Sequence, residues 1–186
     1  MSKIVDLEKK KNQLFHLKMM RPIKKYGVLF LLFFMFLGAL LYPLANVQGP
    51  TLDAQTPKIQ MNNKGAQVTL IDGNERGHFV FIGTINQVPV KFFYDTGATD
   101  IAIPQSVANY LRLKEGRRTN FHTANGMGYG FDTTLDTVAI GHIELSNIDA
   151  TITPGMDGDE ILLGMSFLKH LDIRQSDGKL FLAASD

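Results

Sequence analysis

The stretch VPVKFFYDTGATDIAIP, residues 88–104, places one acidic residue at the end of an apolar run. Its first seven residues are rich in valine and phenylalanine and predict a β-strand. Asp95 follows at once and opens an Asp-Thr-Gly turn. Gly97 allows a tight backbone turn there, and the Thr96 hydroxyl can bond to loop backbone. We expect a partly buried carboxyl group at this turn, although the triplet is also ordinary turn chemistry.

The residues around this turn read mainly as short strands. GHFVFIGTI (77–85) and VPVKFFY (88–94) are separated only by Asn86 and Gln87, which predicts a hairpin. Further strands are predicted at 131–141, 142–145, 147–153, 160–163 and 179–184. Helices are predicted only at 104–113 and 165–171. The pattern predicts an all-β barrel or sandwich with one or two short helices.

Charge is unevenly distributed along the 186-residue chain. Residues 1–25 carry a net charge of +6 and the remainder −5, although the total is +1. Residues 26–45, YGVLFLLFFMFLGALLYPLA, contain no charge and as a helix would span about 30 Å, so they predict a transmembrane helix. The basic segment 1–25 is expected to be cytoplasmic. A cleaved signal peptide is the alternative, but Pro43-Leu44-Ala45 is a poor cleavage site.

Residues 46–65 mix Pro, Gly, Gln, Asn and Thr and predict a linker, which leaves 66–186 as one domain. The chain has no Cys, which excludes disulfides, zinc–thiolate and iron–sulfur sites. Its five His show no metal-ligand spacing, so we expect no metal and no cofactor. The acidic character of the chain after the basic segment argues against nucleic acid as a partner.

Three stretches together carry a resemblance to a known family. They are FFYDTGATDIAIP (92–104), FHTANGMGYGF (121–131) and ILLGMSFLKHL (161–171). In order and spacing the chain resembles the retropepsin-like (clan AA) aspartic proteases, in particular the bacterial single-pass membrane-anchored members. The resemblance implies an acid-protease barrel preceded by a single transmembrane helix. It also implies an aspartic endopeptidase that activates water between two carboxyl groups.

The resemblance assigns roles to particular residues. Because the chain has one Asp-Thr-Gly, the second catalytic Asp95 would come from an identical partner in a homodimer. Active-site loop support is assigned to Thr96, Gly97, Ala98 and Gly164. Substrate binding in the flap and cleft is assigned to Asp100, Asn125, Gly126, Met127 and Gly128. Asp100 could equally be a solvated turn residue, and the Gly-rich segment a surface hairpin without function. Tyr94 departs from the family, in which smaller aliphatic residues usually precede the Asp.

The expected partners are a second copy of the chain, a peptide or protein substrate, and a membrane contacted through residues 26–45. The protease domain is expected outside the cytoplasm, at a bacterial inner membrane, on the strength of the resemblance. An alternative is a catalytically silent, membrane-anchored module of the same fold that binds extended peptides by strand addition. The sequence leaves the substrate, the pH optimum and processing of the anchor open.

Overall fold

The computed structural model describes residue 30 and residues 32–40, 49–123 and 126–185. The chain divides into two compact units, Met1–Val47 and Gln48–Asp186. In the first unit the described residues are helical. Among the described residues, no helix is both long enough and apolar enough to cross a bilayer. The transmembrane helix predicted at 26–45 lies partly outside the described residues, and the basic segment 1–25 lies wholly outside them.

Strands dominate the described part of the second unit. In chain order they are β1 (Lys58–Met61), β2 (Gln67–Asp72), β3 (Val80–Ile85), β4 (Val88–Tyr94), β5 (Ile101–Pro104), β6 (Arg118–Thr123), β7 (Gly126–Ile140), β8 (Ile143–Thr153), β9 (Glu160–Leu163), β10 (Leu171–Ser176) and β11 (Lys179–Ala184). Two short helices interrupt them, at Gln105–Tyr110 and Met165–Leu168. The fold is therefore all-β with few short helices, as predicted.

Most strands belong to one sheet with the order β3-β4-β9-β5-β8-β7-β6. A further pairing between β3 and β7 closes the first six of these strands into a barrel. The pairs β4–β9 and β5–β8 are parallel, and the other neighbours are antiparallel. The β3–β7 pairing covers part of the β3 edge, which would otherwise expose unpaired backbone groups. Of the seven strands in this sheet, only β6 lies outside the closed ring, where it forms a hairpin with β7.

A second, four-stranded sheet has the order β1-β2-β11-β10 and is antiparallel throughout. Together the sheets enclose a core rich in branched aliphatic and aromatic side chains. Phe81, Phe92 and Phe167 are its largest fully buried members. They come from β3, β4 and the helix Met165–Leu168, so the strand that ends at Asp95 is anchored in the core.

Several predicted boundaries are confirmed, because they depend on local sequence. β4, β9 and β11 have the predicted limits. The two-residue loop between β3 and β4 has positive φ at both positions, 50° at Asn86 and 67° at Gln87. This is the backbone of a type I′ hairpin turn, whose twist matches that of the strands.

Other boundaries are corrected by long-range pairing. The short strands predicted between residues 131 and 153 form one long hairpin, β7 and β8. Both predicted helices are shorter: the first ends at Tyr110, and the second ends at Leu168 because Leu171 starts β10, which pairs with β11. Ladder hydrogen bonds from a distant strand outweigh the local helical pattern here.

The predicted linker, 46–65, is also corrected where the structure describes it. β1 lies within this segment and pairs with β2, and Gln55 forms a parallel bridge with Phe81. Packing starts as early as Gly49, where an added Cβ would lie 2.9 Å from the Tyr110 ring. The folded unit therefore begins before residue 66. Its early part satisfies backbone groups at sheet edges, a role that leaves no hydrophobic period in the sequence.

Candidate active site

Asp95 stands at the point where two parallel strands end together. β4 and β9 are paired in register up to Tyr94 and Leu163, so the residues that follow them, Asp95 and Gly164, are neighbours. The Asp95 backbone N–H donates to the Leu163 carbonyl oxygen at 3.3 Å, which extends the ladder by one bond. Asp95 is half-buried. Its backbone is thus held by the barrel while its carboxyl group remains accessible.

The turn after Asp95 wraps around its carboxyl group. The Gly97 N–H donates to Asp95 Oδ1 at 2.8 Å, and the Ala98 N–H donates to the Asp95 carbonyl oxygen at 3.4 Å. A Cβ at Gly97 would approach Asp95 Oδ1 to 3.2 Å, so a larger residue would crowd this bond. Thr96 and Gly97 are exposed. The turn therefore orients one carboxylate oxygen through backbone and presents its own outer edge to solvent.

Gly164 and the two residues after it brace this loop from β9. The Met165 N–H donates to the Ala98 carbonyl oxygen at 2.8 Å. At Gly164 an added Cβ would lie 2.1 Å from the Asp100 carbonyl oxygen and 2.7 Å from that of Ala98. Only a residue without a side chain permits this approach. Ala98, which ends the Asp95 turn, and Gly164, both assigned to loop support, are thus in direct contact in the structure.

Ser166 is a part of the site that the sequence analysis missed. It is buried within the helix Met165–Leu168, and its N–H donates to the Thr99 carbonyl oxygen at 2.8 Å. Its hydroxyl oxygen accepts a hydrogen bond from the Ile101 N–H at 3.1 Å. The signal available in the sequence was a lone polar residue in the apolar run that follows Gly164. A buried hydroxyl usually has a specific partner.

Asp100 follows the Asp95 turn by two residues and has a different environment. It lines a cavity of about 780 Å³ whose lining does not include Asp95. Burial raises the pKa of the Asp100 carboxyl, and the nearby charges of Asp149 and Asp132 raise it further, against a smaller opposing effect of Lys169. Asp100 is half-buried, so it is not the freely solvated turn residue considered from the sequence.

The Gly-rich segment forms the hairpin of β6 and β7, with Asn125 outside the described residues. A Cβ at Gly128 would lie 2.9 Å from the Phe121 ring. Met127 and Tyr129 are exposed, at 69% and 42% of their surface. They share the pleat face of Phe131, which packs against the core. Along the hairpin, the face of β7 that packs on the core at Phe131 continues outward as an exposed apolar face formed by Met127 and Tyr129. Gly126, at the start of β7, is also exposed.

Tyr94, the departure from the family pattern, fits its position by packing. Its ring meets the Phe79 ring edge to face, with centroids 6.0 Å apart. Burial raises the pKa of the Tyr94 phenol, so the side chain is neutral at physiological pH.

In the described part of the chain, no group of three or more His, Cys, Asp or Glu side chains could hold a metal ion.

Comparisons with known proteins agree with this geometry. A family model described as "gag-polyprotein putative aspartyl protease" matches residues 81–170. The chain is 34% identical to a crystal structure of a retropepsin-like aspartic protease from Rickettsia conorii. That similarity covers 62% of this chain and 98% of the other, with a TM-score of 0.52.

Two curated relatives are uncharacterized proteins, each 32% identical to this chain. One lies in the cobV 5′ region of a Sinorhizobium species and the other is RP867 of Rickettsia prowazekii. The matches cover 61% and 64% of this chain, and 50% and 52% of the relatives. The chain thus spans about half the length of the curated relatives it matches. On its fold, its Asp95 turn and its similarity to the Rickettsia conorii enzyme, the chain belongs to the retropepsin-like aspartic protease family.

Proposed function

We propose that this protein is an aspartic endopeptidase whose active site is completed by a second copy of the chain. The observation that carries the proposal is the Asp95 turn, in which backbone and the Gly164 brace hold one accessible carboxyl group. The sequence contains a single Asp-Thr-Gly triplet. Two such carboxyl groups facing each other across a twofold axis would share one proton, because two like charges so close cannot both ionise.

In this mechanism the two Asp95 side chains act as one unit. The ionised carboxylate takes a proton from a bound water, whose oxygen attacks the peptide carbonyl carbon. The protonated carboxyl group gives its proton to the leaving nitrogen as the C–N bond breaks.

The hairpin of β6 and β7 is proposed as the flap that covers a bound peptide. Closure would exclude water from the reacting bond. The exposed apolar face at Met127 and Tyr129 supports this role, since it would contact apolar substrate side chains. Arg118 lies over the Tyr129 ring at 4.3 Å from its centroid, an arrangement that holds the ring in place. We therefore propose a preference for extended peptides with apolar side chains.

Membrane anchoring through residues 26–45 is proposed as well, with the N-terminus cytoplasmic and the protease unit across a bacterial inner membrane. Support comes from the sequence and from the described helical residues 32–40. Most of their large apolar side chains are exposed, including Phe33, Phe34 and Phe36. A helix that is apolar all round needs an apolar environment. Resistance of the full chain to alkaline extraction from membranes would support the anchor, and its release into the supernatant would count against it.

The activity is tested with the full chain in detergent, incubated with denatured protein between about pH 3 and about pH 8. Asp95→Asn should abolish cleavage, because the amide cannot serve as base. Asp177→Asn is the matched control, since Asp177 lies in the exposed β10–β11 turn, where Asn is tolerated. Cleavage that survives in Asp95→Asn would refute the mechanism. A wild-type dimer that binds peptide and never cleaves it would point to the silent binding module.

Dimerisation is tested by mixing wild-type and Asp95→Asn chains in equal amounts and allowing exchange. At concentrations that saturate the dimer, random pairing makes about a quarter of the dimers wild type, so activity per wild-type chain falls to about half. Asp177→Asn chains mixed in the same way should leave activity per chain unchanged. A monomeric enzyme would keep full activity per wild-type chain in the mixture with Asp95→Asn.

A further inference from the structure

Lys91 is a buried charge in the strand that carries Asp95. Its side chain is only 8% exposed. Alternation along β4 points it away from Val90 and Phe92, onto the other face of the sheet. An isolated ammonium group would be very costly there, so the site needs opposite charge.

Three carboxylates supply that charge. The Lys91 Nζ atom lies 2.9 Å from Asp53, 3.0 Å from Asp159 and 3.7 Å from Glu160. Burial opposes the charge on Lys91, but the hydrogen bonds and charges of Asp53 and Asp159 outweigh it and raise the Lys91 pKa. The same contact with Lys91 lowers the pKa of Asp53. Glu160 and Asp159 belong to the barrel, whereas Asp53 comes from the segment that precedes β1.

That segment, residues 49–56, is called the strap. A second strap residue, Thr51, also contacts the barrel unit. Its N–H donates to Asp159 Oδ2 at 2.7 Å, and its hydroxyl donates to the same oxygen. These bonds help to lower the pKa of Asp159 against the opposing effect of burial. The strap thus supplies the Asp53 carboxylate to Lys91 directly, and through Thr51 it orients the Asp159 carboxylate.

The strap also completes a sheet edge. β7 pairs with β3 only at Thr84 and Ile85. The rest of that edge of β3 is left open by β7. There the Ile82 N–H donates to the Gln55 carbonyl oxygen at 2.9 Å. The Gln55 side chain accepts from the Asp72 N–H at 3.1 Å and donates to the Asp72 carbonyl oxygen, which ties the strap to β2 as well.

We propose that the strap is an indispensable part of the protease unit, with Asp53 as counter-charge to the buried Lys91. Any cut that separates the unit from its N-terminal segment would leave a stable unit only if it falls before Thr51. Such a cut would release the unit from a membrane only if residues 26–45 anchor it, and that part rests on the proposed function. The requirement for the strap does not, because it concerns the fold and is measured without any peptide cleavage.

The first test cuts the full chain at two defined places. A recognition sequence for a site-specific protease is inserted between Gln48 and Gly49 in one variant and between Thr56 and Pro57 in another. The uncut variants should unfold at the same denaturant concentration as the parent chain. Cutting the first should leave that midpoint unchanged. Cutting the second and removing the released piece should lower it clearly, and an unchanged midpoint would overturn the proposal.

The second test asks whether the strap acts through Lys91 and needs no insertion. In the full chain, Asp53→Asn should increase the unfolding equilibrium constant by about two- to fivefold, less than for a fully buried pair, because Asp53 is largely exposed. In a Lys91→Met background, the same change should have little effect, since no buried charge remains. Lys58→Met is the matched control, because Lys58 pairs with Asp72 at the surface. An equal effect of Asp53→Asn in all three backgrounds would refute the assignment.

Discussion

Replacing Gly164 with alanine should damage both the stability and the activity of this protein. The new Cβ would lie 2.1 Å from the Asp100 carbonyl oxygen and 2.7 Å from the Ala98 carbonyl oxygen. Both are backbone atoms, so neither can rotate away as a side chain could. Gly164 itself has φ −94° and ψ −174°, which any residue can adopt. The whole effect therefore comes from the contact and not from backbone conformation.

The size of the effect follows from these distances. Contacts shorter than 3.0 Å are essentially never seen for a real Cβ, so the loop at 98–100 must shift by about 1 Å. Overpacking of this kind typically costs about 1–3 kcal/mol. We expect about 3 kcal/mol, because two backbone groups must move together. A displacement of about 1 Å in the loop that holds Asp95 should also reduce cleavage roughly 100-fold.

The matched control is Gly155→Ala, since nothing lies within 4 Å of a Cβ at Gly155 and its φ is not positive. Urea unfolding followed by fluorescence or circular dichroism gives the stability of each full-chain variant, and peptide cleavage gives the activity. If the free energies of unfolding of Gly164→Ala and Gly155→Ala agree within about 0.5 kcal/mol, the close contact at Gly164 does not constrain the fold. If it is destabilised but cleaves normally, the brace does not position Asp95.

Three further substitutions test separate parts of the structure. Ser166→Ala leaves the buried Ile101 N–H without its acceptor and should cost about 1–3 kcal/mol in urea unfolding, whereas Ser166→Thr, which keeps a hydroxyl, should cost less. Asp100→Asn should raise the thermal midpoint at pH 7, because the raised pKa of Asp100 means that its charge destabilises the fold above that pKa. This advantage should vanish below about pH 4, where the acid is protonated in both states, and a larger advantage there would contradict the assignment. Gln87→Gly should stabilise the β3–β4 turn by about 1 kcal/mol, since a non-glycine residue is strained at φ 67°, and an unchanged urea midpoint would argue against that strain.

The hairpin that carries Asp95 was predictable because its signals are local. Phenylalanine and valine runs flank a two-residue loop, and the Asp-Thr-Gly turn follows without a gap. The brace could be predicted only as a motif, from the apolar pair and glycine before the second short helix. Its physical basis, the approach of Gly164 to two carbonyl oxygens, depends on β4 lying parallel to β9, which is 69 residues further along the chain.

Lys91 shows the opposite case. In VPVKFFY a single lysine within an apolar strand suggests a solvent-facing position, yet the structure buries it. The residues that cover it come from the strap and from the loop before β9. The strap itself reads as a linker, since its role is to supply hydrogen bonds and one charge. Such contacts leave no periodicity in the sequence.

The sequence by itself determined the strand-rich character of the chain and the turn that holds Asp95. Those properties follow from residue types and short spacings, because strand and turn preferences act over a few residues. The tertiary structure alone decided where the folded unit begins, how Ser166 and Gly164 hold the Asp95 loop, and why Lys91 can be buried in the strand that leads to Asp95. Those properties depend on atoms that strand pairing brings together from distant parts of the chain.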